Sequence, residues 1–103
     1  MNDRTPATTG LLLPSRYGQI SAPGGDKDLI TNFLRRDGEW AYLEVEFLAQ
    51  YLPKQARVLD IGAYLGTFSL GMGLAAELSF ACLVEGNPAI VPHLAKNVAQ
   101  NLH

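Results

Sequence analysis

The sequence predicts an α/β fold built on a right-handed βαβ unit with parallel strands, and three observations predict it. Two short apolar runs, Arg57–Ile61 and Phe80–Val84, stand on either side of a helix-length segment. The first run leads directly into glycines at 62 and 66. Each run is followed by apolar residues at helical spacing. Strands and helices alternating in this order call for parallel pairing and a crossover of fixed hand.

Composition agrees with a packed domain. With 103 residues, 48% of them hydrophobic and 17% charged, the chain has room for one domain. Its formal net charge is −2 and no run of Lys or Arg forms a basic stripe, which argues against nucleic acid or an anionic membrane surface as a partner. The single cysteine, Cys82, excludes an internal disulfide and suits a reducing compartment. No apolar stretch reaches the roughly 18–20 residues that a bilayer span takes. The start, Met1 to Pro6, lacks the apolar core of a signal peptide. A cytoplasmic location is therefore expected.

The elements follow in chain order. Residues 1–15 read as a flexible N-terminal arm, in which Leu11 to Leu13 add a short apolar strand or an anchor, and residues 16–103 form the domain. Arg16 to Ala22 alternates weakly as a strand and is closed by the turn Pro23-Gly24-Gly25. Asp26 or Asp28 then caps a short helix that turns Leu29, Ile30, Phe33 and Leu34 inward, and Gly38 stops it. Glu39 to Leu52 is expected as an amphipathic helix with Trp40, Leu43, Phe47, Leu48 and Tyr51 on the buried face, ended by Pro53.

The second half is more regular. A small-residue helix is expected from about Thr67 to Leu78, with Phe68, Met72, Ala75 and Leu78 on one face. The unbroken run Phe80–Val84 reads as a strand covered on both faces, which makes Cys82 inert core. Asn87 and Pro88 are the expected cap and first residue of the last helix, whose buried stripe is Ile90, Val91, Leu94, Val98 and Leu102.

The chemistry concentrates in Val58 to Ser69. A strand that ends in glycines and enters a helix is expected to leave backbone N–H groups pointing into the crevice above the sheet. Gly62 permits the sharp turn, Gly66 lets the helix pack on the strand, and Asp60 puts a carboxylate at the crevice mouth. Glu85 ends the second strand 25 residues later, where an acid can accept hydrogen bonds from the ribose hydroxyls of an adenosine-containing ligand. A dinucleotide fingerprint needs Gly-x-Gly-x-x-Gly, whereas this loop is spaced Gly-x-x-x-Gly and holds Tyr64. An acid before the loop repels a pyrophosphate and suits the ammonium group of a methionine moiety. On charge grounds S-adenosylmethionine is favoured over NAD.

Other residues read as structural. Trp40 is expected as a core anchor rather than a ligand platform, and Glu39 and Glu44 as solvated helix residues, with one of the two facing the pocket as the minor alternative. Neither His93 nor His103 reads as a base or a metal ligand, and no spacing of His, Cys and carboxylates forms a metal site.

These motifs resemble a family. Asp60-Ile-Gly-Ala-Tyr-Leu-Gly-Thr-Phe-Ser-Leu70 looks like the first motif of FkbM-type methyltransferases. Val84-Glu-Gly-Asn-Pro88, with the helix ending Lys96-Asn-Val-Ala-Gln-Asn101, looks like their second. Gly38-Glu-Trp-Ala-Tyr-Leu-Glu44 is similar to the segment before their first strand, so the resemblance covers roughly residues 16–101. The family usually has Asn at the place of Tyr64, and commonly Pro at that of Gly86.

The resemblance implies a Rossmann-like class I methyltransferase fold, here incomplete because the family's later strands and substrate pocket have no counterpart in the sequence. It implies S-adenosylmethionine as cofactor, held by Asp60, Gly62, Ala63, Gly66, Glu85 and Asn87, with O-methylation of a small molecule or sugar as the activity. It identifies no catalytic residue. An incomplete sheet further predicts self-association or a completing partner chain. Two other readings stay open: a non-catalytic remnant or binding module, and, more weakly, a fragment of a nucleotide- or NAD-binding oxidoreductase.

Overall fold

A computed structural model describes residues 10–102. Strands β1 (Leu11–Ser15) and β2 (Gly18–Ala22) form an antiparallel hairpin across Arg16 and Tyr17, with Leu13 opposite Ile20. Leu13, Tyr17, Ile20 and Ala22 of this hairpin are buried. Leu11–Ser15 therefore belongs to the fold and not to an arm, because the ladder to β2 satisfies its backbone. The rest of the expected arm, residues 1–9, lies outside the described residues.

Helix α1 (Leu29–Asp37) follows its local signals. The Asp28 side chain accepts from the Thr31 N–H at 3.0 Å, and Gly38 ends the helix in left-handed backbone at φ 75°. Leu34 is buried and Ile30 and Phe33 are half-buried, but Leu29 stands exposed in the first turn rather than facing inward.

Helix α2 (Tyr42–Ala49) is shorter than expected and presents the other face. Leu43, Phe47, Leu48 and Tyr51 are exposed, at 79%, 56%, 44% and 69%, while Tyr42 and Val45 are buried. The choice is made by helix α3 (Thr67–Ala75), against which α2 packs. A Cβ on Gly71 would stand 3.2 Å from Val45 Cγ1 and 3.4 Å from the Tyr17 and Tyr42 rings. The glycine lets the Tyr42–Val45 side approach closely, and that side is buried in preference to the bulkier one.

Strands β3 (Ala56–Ile61) and β4 (Leu78–Val84) flank α3 and pair in parallel, with Leu59 opposite Cys82 and Ile61 opposite Val84. The fold is thus α/β, with four helices and two separate two-stranded sheets among the described residues. Helix α3 stops at Ala75, three residues early, because Ala76 is extended and Leu78 already belongs to β4.

One face of the β3–β4 sheet is open. In register, Arg57, Leu59 and Ile61 share a face with Phe80, Cys82 and Val84, and all six are exposed. The expectation of a strand covered on both faces is corrected, and Cys82 is a free, exposed cysteine rather than core. The cause is topological: α3 reaches the sheet from the opposite side, where its Ser69 bonds Asp60. Hence the core is not centred on this sheet but lies between the hairpin, α1, α2 and α3, around Ile20, Leu34, Val45, Leu65 and Leu70.

Helix α4 (Val91–Asn101) begins later than expected. Asn87 closes a turn instead of capping the helix: its Oδ1 accepts from the Ala89 N–H at 2.9 Å, and its carbonyl accepts from Ile90 at 2.9 Å. Pro92, not Pro88, sits in the first helical turn. Ile90 and Leu94 are buried as expected, Val98 and Leu102 are half-buried, and Val91 is exposed. No helix among the described residues is long and apolar enough to cross a membrane.

Candidate functional site

The parallel register sets the site. Because Ile61 pairs with Val84, the loop after β3 and the segment after β4 leave the sheet side by side. Asp60, Gly62 and Ala63 arrive from one strand, Glu85 and Asn87 from the other. This is the carboxyl end of the strands, where open α/β sheets present their ligand crevice.

The hydrogen bonds of the glycine loop alter the expected chemistry. The N–H groups of Gly62 and Ala63 both donate to the Val84 carbonyl, at 2.8 and 2.9 Å. The Tyr64 N–H donates to Glu85 Oε1 at 2.8 Å, and the Gly66 N–H to the Ala63 carbonyl at 2.9 Å. These four donors are spent inside the protein and do not point into the crevice. The physical reason is the side-by-side exit of the chains, which puts the β4 carbonyl and carboxylate within reach of the loop.

The Glu85 carboxylate is held from both sides. Its Oε1 accepts from Tyr64 and its Oε2 from the Asn87 N–H at 3.1 Å. A carboxylate has about four lone-pair sites, so each oxygen retains one for a hydroxyl donor. Asp60 is half-buried, and its Oδ2 accepts from the Ser69 hydroxyl at 2.7 Å. Asn87 is exposed and uses its side-chain oxygen in its own turn.

The two glycines do different work. Gly62 has φ 78°, and a Cβ there would meet no atom within 4 Å, so the space over it is open. Gly66 has φ 90°, and its Cβ would press to 3.0 Å from Leu94 Cδ1 of α4. Ala63 is buried beneath the loop. Gly62 faces open space while Gly66 is a packing position.

Beside the loop lies a cleft of ≈190 Å³ that sequence reading did not outline. Asp60, Gly62, Ala63 and Tyr64 form one wall, and Ile30, Trp40, Ala41 and Glu44 the other. Trp40, expected as a core anchor, is half-buried, meets Phe33 edge-on at 5.1 Å and lines this cleft. Glu44, expected as solvated, is exposed and lines it too. A larger, shallower depression of ≈720 Å³ runs from Phe33 and Asp37 to Leu43 but reaches no glycine-loop residue.

Tyr64 is the residue whose role was least legible. Its backbone is left-handed at φ 54°, a costly place for an aromatic residue. Burial, and then the neighbouring Asp28 carboxylate, push its phenol up to about 12. Burial would raise the Asp28 carboxyl, but bonds from Thr31 and the Tyr64 phenol outweigh it and hold it below the usual value. The Tyr64 ring lines the cleft.

Among the described residues no group of His, Cys and carboxylates is arranged to hold a metal ion. The chain matches no family model, no curated protein and no solved structure.

Proposed function

We propose that this chain carries the S-adenosylmethionine-binding portion of a methyltransferase of the FkbM type, its β3–α3–β4 unit belonging to a Rossmann-like fold. The observation that carries the reading is the donor economy of the glycine loop. With the N–H groups of Gly62, Ala63, Tyr64 and Gly66 already bonded, a pyrophosphate would find none of these donors, and Asp60 would repel it. What the site offers instead is acceptor capacity at Asp60 and Glu85 beside the open space over Gly62. That set suits a cationic amino-acid end together with ribose hydroxyls, and disfavours NAD.

The residues fit such a cofactor in division of labour. Glu85 would take the ribose hydroxyls, Gly62 and Ala63 would let the chain approach, and Asp60 would face the methionine end. Gly66 and Asn87 would support the loop and the following turn from behind. When bound, the cofactor supplies a methyl group on a sulfonium, so the protein mainly has to orient it against an acceptor. By resemblance the acceptor is a hydroxyl of a small molecule or sugar.

A second reading is a module that binds the cofactor without catalysis. It is favoured by the face of the β3–β4 sheet that carries Leu59, Ile61, Phe80 and Val84, which the described residues leave uncovered.

Calorimetric titration of S-adenosylmethionine, with NAD as control and Glu85→Ala as comparison, tests the proposal. Saturable binding of the methyl donor, weakened in the variant and not matched by NAD, is expected. No binding to a folded sample would sink it. Methyl release from labelled cofactor with a panel of hydroxyl acceptors would then separate enzyme from module.

A further inference from the structure

The cleft beside the glycine loop is lined by aromatic and acidic side chains. Three aromatic side chains from three elements line it: Trp40 before α2, Tyr64 in the loop and Phe68 in α3. Two carboxylates join them, Glu44 and Asp60, and none of the lining residues is Lys, Arg or His. Aromatic faces and carboxylates both attract a cation, and an alkylated cation gains further from the apolar ring surface. An anion would gain little there.

The backbone is also unusual at this place. Among the described residues three non-glycine positions have left-handed backbone, and two of them, Ala41 at φ 55° and Tyr64 at φ 54°, line this cleft. Ala41 sets the entry of α2, which brings Trp40 and Glu44 across from Asp60. Such positions cost of order 1–3 kcal/mol and persist where the surroundings hold them. Here they bring an aromatic residue to each wall.

We infer that this cleft binds an onium cation, the sulfonium end of the proposed cofactor, and that Trp40 and Glu44 set the preference for that charged group over its neutral thioether product. The inference rests on the cofactor reading above and adds residues from the N-terminal half of the chain to the site. Trp40 and Glu44 act by electrostatic attraction to a positive sulfur, so they discriminate charge more than shape.

The test compares S-adenosylmethionine and S-adenosylhomocysteine by calorimetry on the wild type, Glu44→Gln and Trp40→Leu, with circular dichroism to verify folding. Glu44 is exposed, so Glu44→Gln keeps the fold even if Trp40→Leu does not. Each variant is expected to weaken the charged ligand by about five- to tenfold and the neutral one by less than about twofold. Equal losses for both ligands, or no loss for either, would overturn the inference and leave the cofactor reading standing.

A second probe is independent of the adenosine part. Trp40 is the single tryptophan of the chain, so its fluorescence reports the cleft directly. Trimethylsulfonium is expected to perturb it saturably at millimolar concentration, and tert-butanol is not. That response without S-adenosylmethionine binding would uphold the onium cleft and refute the cofactor reading. Absence of both would refute both.

Discussion

The side-chain amide of Asn97 donates to the Leu65 carbonyl at 3.0 Å and so ties α4 to the glycine loop. The same side chain clasps Ser21 of β2, accepting from its N–H at 2.6 Å and donating to its carbonyl at 2.9 Å. Asn97 is fully buried, and its three bonds join the hairpin, the last helix and the loop where the candidate site lies. Replacing it by Ala leaves three backbone groups without this partner in a dry place. The expected cost is about 3 kcal/mol, read as a lower midpoint in urea unfolding.

The two loop glycines should respond differently to Ala. At Gly62 the added methyl meets open space, so only the left-handed backbone is penalised, at about 1 kcal/mol. At Gly66 the same penalty is joined by a clash 3.0 Å from Leu94, and a loss of about 2–3 kcal/mol is expected. Thermal unfolding of the two variants side by side checks the order. Equal stabilities would show that Gly66 is not a packing position.

His93 gives the fold a pH dependence of known sign. Burial, and then the nearby Lys96, hold its imidazole below the ordinary value of 6.5, while Nδ1 lies 2.7 Å from the Ser21 hydroxyl. The folded chain binds this proton less readily than the unfolded one. Its contribution is therefore fully present above about pH 6.5 and is lost as pH falls from there through the lowered folded value. His93→Gln is expected to flatten this part of the stability curve. An unchanged slope between about pH 7 and 5 would assign it to other groups.

The open sheet face is checkable by substitution. Ile61 is 75% exposed, so Ile61→Lys should change stability by no more than about 0.5 kcal/mol. Leu34 is 1% exposed, and Leu34→Ala should cost about 2–5 kcal/mol. Chemical unfolding of both variants suffices. A large loss from Ile61→Lys would mean that this face is covered in solution.

Much of the local structure was legible in the residues. Asp28 and Gly38 bound α1 where capping chemistry puts them. The apolar runs at 57–61 and 80–84 lie within a parallel strand pair on either side of a helix. These are short-range signals, decided by neighbours in sequence. The side of α2 that faces inward was not legible, because apolar residues surround it: Leu43, Phe47 and Leu48 on one side, Tyr42, Val45 and Ala49 on another. Gly71, some 26 residues beyond Val45, decided between them by how closely it lets a neighbour approach.

By itself the sequence determined the α/β order, the strand-to-glycine turn and the placing of Asp60 and Glu85 near the ends of neighbouring strands, since each follows from local pattern and periodicity. The tertiary structure decided which loop amides remain for a ligand, that Cys82 and its sheet face are open, and that Trp40 and Glu44 meet the glycine loop across a cleft. Those outcomes depend on which carbonyl, helix or ring arrives from elsewhere in the chain. A hydrogen bond or a contact has two partners, and residue order describes the surroundings of only one.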